Sequence, residues 1–492
     1  MRAEALVNRP LVRTQKRQGV KSKASRDFLV VMLLSIVHLP LGVALYNTGS
    51  VGVAHPFLIF SFGLYLALKK KVNTGHVACV AAYIIGAEVL WRMAGVPTPW
   101  EFGKYAAAGI MLAAIFRSHR FEVPKLPLLY LGLLIPSGLM VIAETDLSRA
   151  TAALSFNLSG PVLLLVSAWF FYKTRISPSE FRRLLIAFIL PLLSVAMSAL
   201  FYTVTAEDLS FTGESNLATS GGFGPNQVSS MLGLGVFVSA AGFLIFKKRS
   251  KFSIYFALSA LFFATLSVMT FSRGGMYNAV GGIFVLLMFG LRDVSSGLRR
   301  LAPAVILGAL FVLFIYPMLN DFTGGALQER FEDTGTSQRS DIAWTDIEMF
   351  MDNPAFGVGV GASYAYREKY YHKAMAHTEF ARMISEHGSL GLAAILVMLA
   401  FLIVNLKRPN STPGRAFIAG GLTWACLFMT NAGMRLAAPA FIWGLSFITI
   451  VSLRPHLGRA IGRVKNQGSS KTSTIPSKEM QATRSVRANL PT

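Results

Sequence analysis

The main feature of this sequence is a series of apolar segments separated by short polar connections. A helix of about 20 apolar residues, rising about 1.5 Å per residue, crosses the hydrocarbon core of a bilayer. The pattern predicts fourteen such helices, at residues 28–46, 51–68, 76–94, 103–116, 125–143, 154–172, 184–204, 226–246, 252–270, 275–291, 301–318, 384–405, 414–430 and 436–453. The segments at 103–116 and 275–291 are short for a full crossing. The sequence therefore predicts an all-α fold, a polytopic integral membrane helix bundle with about 12–14 transmembrane helices.

One long polar interruption sets the organisation of the chain. A basic tail at 1–27 precedes the main transmembrane bundle at 28–318. A large loop at 319–383 follows, and it is too long for a simple connection, so we expect it to contain short helices. The last transmembrane helices lie at 384–453, and the polar tail at 454–492 is expected to be disordered.

The positions of Lys and Arg predict which face of the membrane each loop occupies. Basic residues are enriched in loops that stay in the cytoplasm. Most of the 47 Lys and Arg residues fall in the two tails and in every second connection. With the N-terminal tail inside, both termini are cytoplasmic and the number of spans is even. The large loop then lies on the outer, periplasmic face.

Composition excludes several classes of protein. Hydrophobic residues make up 53% of the chain and charged residues 14%, which is not the balance of a water-soluble protein. The net charge of +23 lies in tails and in loops beside apolar spans, so nucleic acid is not expected as a partner. Cys79 and Cys426 lie in apolar segments, and the eight His residues show no paired spacing. Neither a metal ion nor a cofactor is expected.

Candidate functional residues are the polar groups on the outer face. Asn226 follows a Gly-Phe-Gly-Pro turn, and it could simply cap the next helix. Arg273, in the run Ser272-Arg273-Gly274-Gly275, could bind an anion while the two Gly residues let a ligand approach the backbone. Its alternative role is to snorkel to the membrane interface. Glu88 and Arg92 lie four residues apart in an apolar helix and could pair with each other.

The large loop adds a second group of candidates. Apolar residues at helical spacing in 340–351 predict a helix along the membrane surface, which Asn353-Pro354 ends. Three alternating Gly residues at 357–361 are expected to form a flexible run. His377 lies where the chain returns to the membrane. A lone histidine is usually structural, but this position makes His377 a candidate for catalysis.

Four motifs follow one another between residues 220 and 395. They are Gly222-Phe223-Gly224-Pro225-Asn226-Gln227, then Ser272-Arg273-Gly274, then Arg339 followed by Asn353-Pro354 and Gly357-Val358-Gly359-Val360-Gly361, and last His377-Thr378-Glu379-Phe380 followed by Glu386-His387-Gly388. In this order they resemble the O-antigen ligases and Wzy-type polysaccharide polymerases of bacterial envelopes. Thr378 stands where that family usually has Asn, so an orienting role of that amide does not carry over.

The resemblance implies a GT-C-like membrane glycosyltransferase of the bacterial inner membrane. The donor would be an undecaprenyl-diphosphate-linked glycan, and the acceptor another glycan or lipid A-core. A flippase and a chain-length regulator are further partners that the resemblance suggests. It assigns the donor diphosphate to Arg273 and Arg339, and catalysis to His377. The supporting residues would be Asn226, Ser272, Glu379 and Glu386, with one of the two carboxylates orienting His377.

Two alternatives remain open at this stage. Within the enzyme class, the residues serve a polymerase and a ligase equally, and we favour a polymerase of O-antigen or exopolysaccharide. A membrane transporter is the alternative from another class. Transporters carry their polar groups near the middle of the membrane and often consist of two repeated halves. This chain shows no obvious repetition and concentrates its polar groups outside.

Overall fold

The computed structural model describes residues 9–207, 209–212, 214–246, 250–290, 302, 305–333, 335, 339–371, 376–431 and 433–451, with side chains from residue 25 onward. The first eight residues, the predicted basic loop from Arg292 to Arg300 and the predicted tail at 454–492 lie outside this part. Helical conformation begins at Arg9, where the sequence predicts a separate tail through residue 27.

The described chain is almost entirely helical, and its helices follow the apolar segments. They are α1 (Arg9–Asn47), α2 (Gly49–Leu68), α3 (Thr74–Met93), α4 (Phe102–Arg117), α5 (Lys125–Glu144), α6 (Leu147–Phe171), α7 (Pro178–Thr205), α8 (Pro225–Ile245), α9 (Lys251–Met269), α10 (Arg273–Gly290), α11 (Val305–Phe322), α12 (Ala326–Glu332), α13 (Arg339–Asp352), α14 (Ser363–Tyr366), α15 (Glu379–Lys407), α16 (Thr412–Met429) and α17 (Ala437–Leu445). Two short strands, β1 (Arg175–Ile176) and β2 (Thr449–Ile450), pair in parallel.

Ten helices of the described chain are long and apolar enough to cross a membrane, which confirms the polytopic bundle. Burial separates its centre from its edge: 83% of the most apolar stretch of α7 and of α8 is buried, against 22% for α1 and α2. Three more predicted spans, α4, α10 and α16, are helices that are shorter or less apolar. Where α8 and α10 cross, a Cβ on Gly275 would overlap the backbone of Ser229. Its lack of a side chain allows close helix packing.

The predicted span at 436–453 is helical over only part of its length. Helix α17 has nine residues, about 14 Å of helix, and ends at Leu445. The chain then turns at Ser446 and enters strand β2 beside β1. It still runs from one end of the bundle to the other, because the amide of Ala437 donates to Glu88 near the end of α3, whereas the carbonyl of Ile448 accepts from Asn410 between α15 and α16. All of α17 is buried, so this short helix packs against protein rather than lipid.

Connections predicted to be cytoplasmic contact one another at one end of the bundle. Lys173 forms an ion pair with Glu122 from the preceding basic loop, and Arg182 lies 3.9 Å from Asp27 at the start of the first apolar segment. The β1–β2 pair joins the same end to the C-terminal part of the described chain. Alternate connections thus share one face, as the distribution of basic residues predicts.

The large loop folds into the short helices α12, α13 and α14, as expected. Helix α13 ends at Asp352, directly before Asn353-Pro354. The loop packs on α15, which is broken at Gly388, where φ is 60° and ψ is −139°. The first part of α15, through His387, therefore belongs to the loop, and the part after the break is the transmembrane part.

The Gly run does not form the flexible segment that the sequence predicts. Gly357, Gly359 and Gly361 all have positive φ, which residues with a side chain rarely adopt. This conformation brings the amides of Val358 and Gly359 to 2.9 and 3.2 Å from the carbonyl oxygens of Ser385 and Glu386. The break in α15 leaves these carbonyls without helical partners, and the Gly run supplies them.

The break can be tested through stability. Gly388→Ala would place a Cβ 2.6 Å from the Gly357 amide nitrogen at a backbone conformation unfavourable for alanine. We expect the free energy of unfolding to fall by about 1–3 kcal/mol, measured as a lower midpoint in thermal size-exclusion experiments. Gly132→Ala in α5 is the matched control, since its added Cβ would meet no atom within 4 Å. Equal midpoints for the two variants would contradict a structural role of the break.

The orientation can be tested by thiol labelling. Single cysteines at Arg149 and at Lys70, both exposed, report on the two faces in a chain whose Cys79 and Cys426 are replaced by alanine. In intact spheroplasts, a membrane-impermeant maleimide is expected to label position 149 and not position 70. The reverse result would place the large loop in the cytoplasm.

Candidate functional site

A cavity of about 550 Å³ lies between the large loop and the outer ends of α10 and α16. Among the described residues, three guanidinium groups line it, from Arg273, Arg330 and Arg339, together with one carboxylate, that of Asp333. Aromatic and small polar residues complete the wall, namely Tyr277, Phe331, Ser340, Thr378 and Asn431. The cavity therefore carries an excess of positive charge, which suits an anionic ligand.

Arg339, the first residue of α13, is held by two asparagine side chains. Its guanidinium donates to Oδ1 of Asn431 at 3.2 Å and to Oδ1 of Asn226 at 3.3 Å. The hydroxyl of Ser272 donates to the same Asn226 oxygen at 2.7 Å. Among the described residues, no carboxylate lies within ion-pair distance of Arg339. Its charge is thus oriented by neutral partners and remains uncompensated.

Asn226 does not cap α8, whose N-cap is Gly224 without a side-chain hydrogen bond. Its amide instead connects the turn before α8 with the turn before α10 and with the large loop. Asn431 extends the connection, because its Nδ2 donates to Oδ1 of Asn278 at 3.1 Å.

Arg273 and Arg330 lie on the other side of the cavity and share Asp333. Arg273 donates to the backbone carbonyls of Asp333 and Gly335, the latter at 2.8 Å, and lies 3.7 Å from the Asp333 carboxylate. Arg330 lies 3.5 Å from that carboxylate and donates to the carbonyl of Phe271 at 3.0 Å. Burial lowers the pKa of Arg339, and the charges of Arg330 and Arg273 lower it further. A bound anion would relieve this repulsion.

His377 lies directly before Thr378, which lines the cavity. Its ring forms no hydrogen bond within the part of the chain that the structure describes. Burial, followed by the charges of Arg339, Arg435 and Arg367, lowers the pKa of His377 to about 4. The imidazole is therefore neutral at neutral pH, the form that can accept a proton.

The two carboxylates expected to orient His377 have other partners, and that prediction is wrong. Arg382 binds Glu379 and Glu386, each at 2.6 Å. Glu379 also accepts from the amide of Met434 at 3.2 Å, and Glu386 from the hydroxyl of Ser363 at 2.7 Å. Both carboxylates hold the first part of α15 in place and act on the site only through it.

The structure thus brings together Asn226, Ser272, Arg273 and Arg339, with His377 beside Arg339. Sequence reasoning missed Arg330, Asn431 and Arg435. Arg330 lies in the short basic-acidic helix α12, and Asn431 and Arg435 follow α16 in a stretch predicted to join two spans. No local sequence pattern marks these three residues, since contacts with residues distant in sequence place each of them at the site. Gly275 serves helix packing rather than ligand approach, whereas Gly274 lines the cavity.

The fold is that of a polytopic membrane protein, and it carries an arginine-lined cavity at one end of the bundle. Residues 258–396 match the family model described as O-Antigen ligase, which confirms the resemblance seen in the motifs. This segment runs from α9 into α15 and contains Arg273, Arg339 and His377. A search of curated proteins finds no match to the chain.

The arginine cavity predicts a strict requirement for guanidinium groups. Arg273→Lys and Arg339→Lys keep the charge but lose the planar fork that matches phosphate oxygens. We expect each to lower glycan transfer roughly tenfold or more at normal expression, measured in membranes with equal amounts of protein. The control is Arg149→Lys, whose side chain is 84% exposed and pairs only with Asp146. Wild-type transfer in both site variants would show that these arginines set topology or structure alone.

Proposed function

We propose that this protein transfers a glycan from an undecaprenyl-diphosphate-linked donor to an acceptor sugar at the periplasmic face of the bacterial inner membrane. The observation that carries the proposal is the meeting of Arg273, Arg330 and Arg339 in one cavity beside the neutral His377. The family match supports the same class of membrane enzyme, the O-antigen ligase and polymerase type.

The proposed step is a substitution at the anomeric carbon of the donor sugar. The acceptor hydroxyl oxygen forms the new glycosidic bond while the bond to the diphosphate oxygen breaks. The leaving undecaprenyl diphosphate takes the bonding electrons, and Arg273, Arg330 and Arg339 stabilise its charge. His377 accepts the proton of the attacking hydroxyl and later releases it to water.

The low pKa of His377 fits this sequence of events. In the free site the imidazole is a weak base because its neighbours are positively charged. A bound diphosphate adds negative charge next to Arg339, which favours the imidazolium and raises the pKa of His377. The base thus gains strength when the donor is present.

A polymerase and a ligase differ in the acceptor that they use, and we expect this protein to be a polymerase. An assay with membranes and extracted lipid-linked glycan separates them. A ladder of carrier-linked products indicates polymerisation, and a single transfer to added lipid A-core indicates ligation. Chelation by EDTA is expected to leave either activity unchanged, because the proposed step uses arginines where other enzymes use a metal ion.

His377 is predicted to be required for transfer and not for donor binding. General-base catalysis contributes about 10²–10⁴ in rate, so His377→Ala should lose that much of the activity. His377→Gln keeps hydrogen bonding but cannot accept a proton, and it should be equally impaired. The assay is product formation by equally expressed variants, with retention of radiolabelled donor measured on the purified proteins.

The same variants give a pH test. For the wild-type protein, kcat/KM should stay level near neutral pH and fall on the acid side as His377 of the free enzyme becomes protonated, around its pKa of about 4. Normal product formation by His377→Gln would remove the histidine from the mechanism and leave catalysis to the arginines.

A further inference from the structure

The backbone from Met434 to Ala437 is fixed at three points near His377. The amide of Met434 donates to Glu379 at 3.2 Å, and the amide of Ala437 donates to Glu88 at 2.7 Å. Between them, the carbonyl of Arg435 accepts from Arg92 at 3.2 Å. A short segment between α16 and α17 is thus held by side chains from α3 and α15.

The α3 contacts come from a buried charge cluster. Arg92 forms a 2.8 Å ion pair with Glu88, which confirms the pairing expected from their spacing. Glu101 lies 3.9 Å from Arg92 and 2.5 Å from Lys104. All four side chains are at most 4% exposed. Because buried ion pairs have little freedom to rearrange, the cluster holds the backbone of Arg435 rigidly.

From this fixed backbone, the side chain of Arg435 extends to Ala376, the residue before His377. Its Nη2 donates to the carbonyl oxygen of Ala376 at 2.7 Å. Within the described chain this is its one side-chain hydrogen bond, and no carboxylate lies within ion-pair distance. Burial lowers the pKa of Arg435, with Arg382 as the next cause, but an arginine stays charged at neutral pH. A fixed, uncompensated cation therefore lies beside His377.

We propose that Arg435 is a positioning residue of the transfer site: it fixes the backbone that carries His377 and places a permanent positive charge next to the imidazole. This inference rests on the proposed function, since it assigns Arg435 a part in that reaction. Arg435 lies beyond the segment 258–396 that matches the family model, and Glu88 and Arg92 lie before it. Through Glu88 and Arg92, helix α3 would thereby take part in positioning His377.

The charge has a defined effect on His377. Three guanidinium groups act on it, from Arg339 on α13, Arg367 after α14, and Arg435 after α16. Each disfavours the imidazolium, so removing one raises the pKa of His377. With Arg435 in place, the imidazole stays neutral even in mildly acidic surroundings and is available when the donor binds.

The test measures His377 directly in the purified full-length protein. Diethyl pyrocarbonate modifies neutral imidazole, and peptide mass spectrometry reports the rate at His377 between about pH 3 and about pH 7, a range that includes the expected midpoints. In Arg435→Gln, the midpoint of this profile should rise by roughly one pH unit, and glycan transfer should fall about tenfold. Arg435→Lys keeps the charge, so it should hold the wild-type midpoint and recover part of the transfer rate. Exposed His119 is the internal control, and its profile should not change.

These measurements separate a positioning role of Arg435 from a purely structural one. An unchanged His377 midpoint in Arg435→Gln, or a Lys variant that shifts as far as the Gln variant, overturns the inference. If Arg435→Gln does not give a monodisperse protein, Arg435→Met removes the charge at similar length and is measured instead. If the proposed function is wrong, the wild-type protein will show no glycan transfer. If only this inference fails, the wild type will transfer, the His377 variants will be inactive and Arg435→Gln will remain active. Arg149→Gln serves as the arginine control on the predicted outer side.

Discussion

The outer end of the bundle depends on one buried cation, Arg382, held between Glu379 and Glu386 on the first turns of α15. A buried charge is tolerated only when it is paired, and removal of one partner costs about 3–5 kcal/mol. The same three side chains bind the segments around them, because Arg382 donates to Asn157 on α6 at 2.9 Å while the carboxylates accept from Met434 and Ser363. The first part of α15 is thereby fixed to α6, to the large loop and to the segment before α17, and His377 is placed by its attachment to this helix.

The break at Gly388 is the second constraint, and it follows from the membrane. A broken helix at membrane depth exposes carbonyls that neither lipid nor side chains of the same helix can satisfy. The amides of the Gly run satisfy those of Ser385 and Glu386, so the loop and the transmembrane part of α15 cannot be separated without loss of these bonds. The Gly run and the break at Gly388 look independent in sequence, but they bind each other in the structure. This contact brings the large loop over the cavity.

The sequence predicts the bundle well because hydropathy measures what lipid requires of a helix. It overestimates the helix at 436–453, where the chain crosses the bundle but only α17 is helical. This segment is apolar for contact with protein rather than with lipid, a difference that composition does not record. The site residues also divide into those that the sequence predicts and those that it does not. Arg273, Arg339 and His377 could be proposed from ordered motifs, whereas Arg330 and Asn431 reach the cavity through contacts that no periodicity encodes. Glu379 and Glu386 pair with Arg382 rather than with His377, since spacing along a helix favours Arg382 on the same face over a histidine before the helix begins.

In the proposed mechanism, the electrostatics of the site link donor binding to catalysis. Arg273, Arg330 and Arg339 repel one another, and the carboxylate of Asp333 compensates only part of their charge. The same field suppresses protonation of His377 while the cavity lacks an anion. A diphosphate that enters the cavity removes both penalties at once, because it neutralises the arginines and makes the imidazolium acceptable. The base is therefore strongest when a leaving group is present, and water held in the free site meets only a weak base. A cluster of like charges would only destabilise a purely structural protein. In the proposed reaction, the same cluster is the means by which the bound donor strengthens the catalytic base.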